Sequence, residues 1–247
     1  MLLSILKSEW YKLRKSKITS IIIAGPLLAL FIGLTMNIED MAGVEEVNEW
    51  MMTLLFMNLP YALLFLPLIT GVFASVVCRY EHQAGGWKQL LTLPVTRGNV
   101  FIAKYSLVIL LVLVSQVLYL GVFFAVGMIK GYTDAFPMMI IWKSILGGWI
   151  ATFPLVALQL WMSIIWKNFA TPLAVNVFFT LPGILAVNSE TYGPFYPWAQ
   201  PFLMMYSVDN QMDSVFFVPW DQVLTVVGGS FIIFIVGGYI YFSRKTV

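Results

Sequence analysis

The sequence predicts an all-α, polytopic membrane protein with six transmembrane helices, an N-terminal interfacial amphipathic helix, and a short cytoplasmic helix between spans two and three. Three observations carry this. Of the 247 residues, 60% are hydrophobic and 11% charged, and the mean hydropathy is +0.86, whereas a soluble domain has roughly a quarter of its residues charged. Six apolar stretches approach the ~20 residues that a helix rising ~1.5 Å per residue needs to cross a ~30 Å hydrocarbon core. Finally, Lys and Arg fall almost entirely in alternate connecting segments, the pattern that sets orientation in a bilayer.

Residues 1–17 are too polar to span. Leu2, Leu6, Trp10 and Leu13 recur at helical spacing, with Lys7, Lys12, Arg14 and Lys15 over much of the rest. This is the pattern of a basic helix lying along the inner leaflet, its cations near anionic headgroups; a solvated basic tail that only orients the first span is the alternative. The run 18–36 follows. It is longer than the 7–15-residue core of a secretory signal and no small-x-small cleavage site follows it, so it reads as a retained first span. The other spans are 53–78, 100–128, 138–165, 170–187 and 221–242. Pro60 and Pro67 lie inside the second and bend it. The fifth is the shortest, with Pro172 and Pro182 near its ends. Residues 188–220 form an outer aromatic segment without a basic residue. Its Tyr192, Phe195, Tyr196, Trp198, Phe202 and Tyr206 suit the membrane–water boundary, and short helices dipping into the outer leaflet are expected around 196–206 and 209–216. Anchoring is the simpler use of these rings, and cargo contact the other. Residues 1–247 read as one membrane domain.

With the N-terminus inside, twelve of the fourteen Lys and Arg residues lie in cytoplasmic segments. Only Lys130 and Lys143 fall outside, among most of the acidic residues. Both termini are therefore expected in the cytoplasm. Cys78 is the single cysteine and His82 the single histidine, so neither an intrachain disulfide nor a Cys/His metal site can be built. The chain has no G-x-x-x-x-G-K-[ST] loop to cradle nucleotide phosphates, and the interiors of its spans offer no carboxylates or histidines for an intramembrane protease. Neither catalysis nor a cofactor is expected on this chain, and nucleic acid is not an expected partner.

The informative segment is Arg79 to Lys104, RYEHQAGGWKQLLTLPVTRGNVFIAK, which is longer than a passive connection needs. Trp87, Leu90 and Leu91 make a stripe at i, i+3 and i+4, so 86–93 forms a short amphipathic helix. Pro94 ends it, and Arg97-Gly98-Asn99 turns the chain toward the third span. Glu81, the Gly85-Gly86-Trp87 step, the run Leu90-Leu91-Thr92-Leu93-Pro94-Val95-Thr96-Arg97 and then Lys104 resemble the first intracellular loop of ABC-2-type transporter permeases. In that family an acidic residue and a Gly precede a leucine-rich helix, which ends in an [LS]-P-[VI]-[ST]-R turn; a helix and a Lys follow. Gly-Gly-Trp-Lys replaces the commoner Gly-Thr-hydrophobic-Glu here. With the short chain, this is most similar to permeases of bacterial lantibiotic-immunity and bacitracin-type peptide-resistance transporters. The resemblance extends over the whole chain.

The resemblance implies a permease in a bacterial plasma membrane, surrounded by membrane lipids. It would pair with a second permease, identical or related, and with two separate ABC ATPase subunits that bind ATP and Mg. Residues 79–99 would be the coupling loop, with Glu81, Gly86, Trp87, Leu90, Leu91, Pro94 and Arg97 as ATPase-coupling candidates. Trp87, Leu90 and Leu91 would supply buried contact and Arg97 would pair with a partner carboxylate, while Glu81 would cap the helix or bind a nearby cation. A local structural role for Glu81 and Arg97 is equally open. Within the spans, Gln116, Gln159 and Asn176 need hydrogen-bond partners, which interhelical bonds or a translocation path would supply. Gly25, Ala29 and Gly33 give the first span a small-residue face for close helix packing, within the subunit or between permeases. The implied cargo is an antimicrobial peptide or a hydrophobic compound. The same family also carries ions, lipids and glycans, and a membrane scaffold or sensor that does no transport is the alternative from another class.

Overall fold

The computed structural model describes residues 2–14, 16, 18–36, 48–83, 86–87, 95–206 and 220–245. Among them every regular element is helical. Helix α1 is Leu2–Arg14 and α2 is Ile18–Thr35. Then come α3 (Glu49–Pro60), a π turn at Tyr61–Phe65, and α4 (Leu66–His82). The long α5 (Arg97–Lys130) and α6 (Met138–Ile165) follow, with α7 (Ala170–Ala186), the short α8 (Gln200–Tyr206) and α9 (Trp220–Arg244). The described residues include five helical stretches long and apolar enough to cross a membrane. The expected fifth span is α7, an apolar helix of 17 residues, about 25 Å long by helical rise.

Residues 49–82 make one broken crossing. Pro60 and Pro67 each lack the N–H that would continue the ladder, and the widened π turn at Tyr61–Phe65 lies between them. Asn48 caps the entry, its side chain accepting from the N–H groups of Trp50 and Met51. At the far end of α5 the chain stops at Gly131, whose φ of 71° is the left-handed conformation of a helix C-cap.

Helices α4, α5 and α6 form the middle of the bundle; α2 packs on α5, α7 on α4 and α9 on α6. Small residues permit the close approaches. Gly25 faces the Tyr61 ring and Gly33 faces Met57 and Val126, so the Gly25–Ala29–Gly33 face of α2 is occupied within the chain. In the interior, Tyr61 stacks on Tyr119 with ring centroids 4.0 Å apart.

The aromatic segment behaves differently from a surface belt. Tyr192 and Phe195 are exposed, but Trp198 and Phe202 are buried, and α8 re-enters the bundle against α6, α3 and α9. Two adjacent glycines make its socket: a Cβ at Gly148 would stand 2.5 Å from Met205, and one at Gly147 3.3 Å from the Met204 carbonyl. The last carbonyls of α8 are not left bare. Ser144 Oγ donates to Met205 O at 3.0 Å, and Asn58 Nδ2 donates to Ser144 Oγ at 3.1 Å. Irregular backbone at membrane depth is tolerated where protein satisfies it in this way. The second short helix expected at 209–216 and the acidic residues between Glu39 and Glu46 lie outside the described residues.

The two ends of the bundle differ. Helix α1, the end of α4, the start of α5 and the end of α9 meet at one of them, the basic end: Lys12 bonds Glu81, and Arg97 Nη1 donates to Ser243 O at 3.4 Å. At the other, Thr133 N donates to Glu49 Oε2 and Glu49 N to Asp134 Oδ2.

Close packing yields a direct test. A Cβ at Gly127 would stand 2.2 Å from the Trp50 ring, whereas one at Gly121, on the same helix, meets nothing among the described residues. Gly127→Ala should cost about 1–3 kcal/mol through overpacking and lower the thermal midpoint of the detergent-solubilised protein by several degrees. Gly121→Ala should leave it in place.

Candidate functional site

Four charged side chains close into a ring at the basic end. Lys104 of α5 is fully buried, as are Glu9 of α1 and Glu81 of α4 to within 3%. Lys104 Nζ donates to Glu9 Oε2 at 2.6 Å and to Val77 O at 3.0 Å. It also stands 2.9 Å from Glu81 Oε2 as an ion pair, off the line of a hydrogen bond. Lys12 Nζ, one third exposed, joins the other oxygens, at 2.6 Å to Glu9 Oε1 and 2.7 Å to Glu81 Oε1. Two carboxylates and two ammoniums thus alternate, and the formal charge sums to zero. The ring spans three helices far apart in sequence.

Helix geometry brings the members together. Ile5, Glu9 and Leu13 form the buried row of α1, four residues apart. The expected stripe of Leu2, Leu6, Trp10 and Leu13 is therefore rotated: Trp10 is exposed, and Leu2 and Leu6 sit at the edge. Glu9 turns the helix inward because its carboxylate has two lysines to meet. Glu81 occupies the last turn of α4, where a helix end disfavours negative charge, so the lysines also compensate the local dipole.

The root of the loop is folded over this ring. Gly86 lies so close to the preceding turn that a Cβ would stand 2.8 Å from Tyr80 O and 2.9 Å from Glu81 Cα. No side chain fits there. Trp87 then turns back: it is 6% exposed, packs on Phe242 at 5.2 Å between ring centroids, and lies 5.7 Å from Lys104 Nζ. Its indole N–H donates to His82 Nδ1 at 3.2 Å, while His82 Nε2 is 2.7 Å from Ser163 O. Indole is only a donor and carbonyl only an acceptor, so His82 is the neutral tautomer protonated at Nε2. Arg97 Nη1 donates to the carbonyls of Ser243 and Lys245, clasping the start of α5 to the end of α9.

These placements redistribute the sequence-predicted candidates. Trp87 was expected as partner contact, but its ring is buried in the chain's own fold, where it seats the loop. Glu81 and Arg97 likewise hold internal bonds. Leu90, Leu91 and Pro94 lie outside the described residues. Gln159 and Asn176 meet: Gln159 Nε2 donates to Asn176 Oδ1 at 2.7 Å, Trp198 Nε1 donates to the same oxygen at 2.8 Å, and Asn176 Nδ2 donates to Pro67 O at 3.0 Å. This junction ties α4, α6, α7 and the segment before α8. Gln116 lies apart from it, beside Gly148 and Met205, so the three amides do not line one common surface.

The family model described as "ABC-2 family transporter protein" matches residues 5–183. The chain belongs to that family. The match runs from α1 through the ring, the loop and α6 into α7, so all four charged residues of the ring fall within it. The chain is also 26% identical, over 146 residues, to the bacitracin transport permease protein BCRB of Bacillus licheniformis, an alignment covering 58% of this chain and 69% of that protein. Membership of the ABC-2 family makes the chain a multi-pass ABC transporter permease that works with an ABC ATPase.

Sequence reasoning did not single out Glu9, and it read Lys104 only as part of a motif. A signal was present: Glu9 and Glu81 are the two acidic residues in the segments that hold twelve cations. Removing one buried partner should be severe, since it leaves an uncompensated charge at about 3–5 kcal/mol. Lys104→Met should lower the thermal midpoint and speed reaction of Cys78, which is buried beside the ring, with a thiol-reactive dye. Glu9→Gln combined with Lys104→Met leaves a neutral Lys12–Glu81 pair, and should recover part of the loss, read as a positive coupling in a double-mutant cycle.

Proposed function

We propose that this chain is the membrane permease of an ATP-driven exporter that moves an amphipathic antimicrobial peptide, or a similar hydrophobic compound, out of the membrane and so gives resistance. The observation that carries the mechanical part is the charge ring, which joins the lever-like α1, the root of the loop and the long α5 into one unit. A force applied to the loop at residues 83–96 reaches α1 through Lys12 and Glu81, and α5 through Lys104. Closure of two ATP-binding subunits, which hold ATP and Mg and do the hydrolysis, pushes on that loop and tilts the spans. The permease contributes no catalytic group, and it assembles with a second permease, identical or related.

Two features support the peptide cargo. One relative carries bacitracin transport in its name. The segment between Glu39 and Glu49 holds five acidic residues, which attract a cationic amphipathic ligand. The charge distribution supports an orientation with the basic end and both termini in the cytoplasm.

Orientation and coupling are tested separately. A cysteine placed at Lys88 in a Cys78→Ala background should react with a membrane-impermeant maleimide in inverted vesicles and not in intact cells; the reverse result refutes the orientation. Leu90→Asp with Leu91→Asp should abolish co-purification of the partner ABC ATPase and return peptide resistance to the level of cells lacking the transporter, with the amount of permease in the membrane unchanged. Resistance retained in full would refute the coupling assignment. Capture of a kinase in place of an ATPase would favour a scaffold or sensor.

A further inference from the structure

A groove of about 650 Å³ runs along the contact of α6 and α9 near the basic end, lined by Trp161, Gly237, Ile240, Tyr241, Arg244 and Lys245. Its inner part is apolar and its rim is cationic. Gly237 lets the Trp161 ring lie against the α9 backbone, since a Cβ there would stand 2.9 Å from the indole. The Trp161 indole Nε1 is buried and has no hydrogen-bond partner among the described residues. At the rim Lys245 Nζ donates to Ile164 O at 2.5 Å and lies 5.9 Å from the Tyr241 ring, which leaves two of its three N–H directions without a partner among the described residues. Arg244 is exposed and makes no ion pair among the described residues. Among the described residues no carboxylate lines the groove. Burial, with Lys167 nearby, holds the Lys245 ammonium below its ordinary pKa, so a neighbouring anion would be stabilising.

We propose that this groove seats an anionic phospholipid of the surrounding bilayer, with its phosphate on Arg244 and Lys245 and one acyl chain along Ile240, Gly237 and Trp161. Depth supports the assignment. Arg244 ends the 25-residue α9, so its guanidinium stands at the boundary, and Ile240 and Gly237 lie about 6 and 10 Å deeper along the helix. Tyr241 and Trp161 are the ring types that favour this level. Ile240 is 45% exposed, which leaves an apolar floor open to a chain from the membrane. A zwitterionic headgroup offers no net charge to two cations, so the site discriminates by charge. The proposal does not depend on what the permease carries.

Native mass spectrometry of the full chain, purified in mild detergent and supplied with equal phosphatidylglycerol and phosphatidylcholine, reads the site. The wild type should retain phosphatidylglycerol selectively. Arg244→Gln should weaken that retention about fivefold, and adding Lys245→Gln should weaken it further, with phosphatidylcholine unaffected. Ile240→Trp fills the groove and keeps both cations, and should also lose phosphatidylglycerol, which separates a seated chain from simple surface charge. Equal retention of the two lipids by the wild type would overturn the proposal, as would full retention in the double Gln variant. Displacement by excess inorganic phosphate would assign the rim to a free anion, and a change of oligomeric state in Ile240→Trp would assign the groove to a second copy; either result also overturns it.

Discussion

An ammonium group at Lys104, enclosed by α1, α4 and α5 with no exposure, is tolerable only because two carboxylates reach it. Desolvating one such ion costs several kcal/mol even after relaxation, and a single partner would leave oxygens or protons unmatched. The ring meets this constraint by alternation. Each carboxylate spans both lysines, and Lys104 also binds the Val77 carbonyl. The arrangement dictates much around it: α1 must lie on the bundle with Glu9 inward, the last turn of α4 must present Glu81, and the loop must begin with a glycine so that Trp87 can close over the charges. The amphipathic helix is therefore not free to drift along a leaflet; it is pinned at its middle.

Composition revealed the solvent, and the solvent dictated the class. Long apolar runs and proline positions are one-dimensional signals, and they show in α2, in the broken 49–82 crossing, and in α5, α6 and α9. The shortness of the 170–187 run likewise shows in α7. What stayed illegible depends on partners distant in sequence. Nothing local distinguishes a tyrosine on a membrane belt from Phe202, buried and stacked on Tyr206, because the same aromatic composition serves both. The Gln159–Asn176 pair required knowing that α6 and α7 face each other. Glu9 was hidden by the habit of reading amphipathic helices from their apolar residues alone, although a lone acid among cations is itself a reason to look for a buried bridge.

The loop shows how a family motif can be read for the wrong reason. Its aromatic residue looks like a knob for a partner, since Trp is enriched at interfaces. Here its N–H goes to His82 and its ring to Phe242, and His82 passes the connection to Ser163 of α6. The glycine before it follows from the same fold-back. Both residues belong to the foundation of the loop.

Stability alone does not explain a charged foundation, because well-packed apolar residues of similar volume would hold three helices together as well or better. A difference lies in how the two kinds of contact respond to displacement. An apolar interface loses energy gradually as it slides, with many weak contacts re-forming at each step. A ring of four charges at 2.6–2.9 Å has one good register, and pulling any member out leaves the remaining buried charges unbalanced. Helices joined that way are held in one register. The single register ties α1, the last turn of α4 and the start of α5 into one unit at the root of the 83–96 connection, whereas the π turn at Tyr61–Phe65 interrupts the regular ladder farther along the 49–82 crossing.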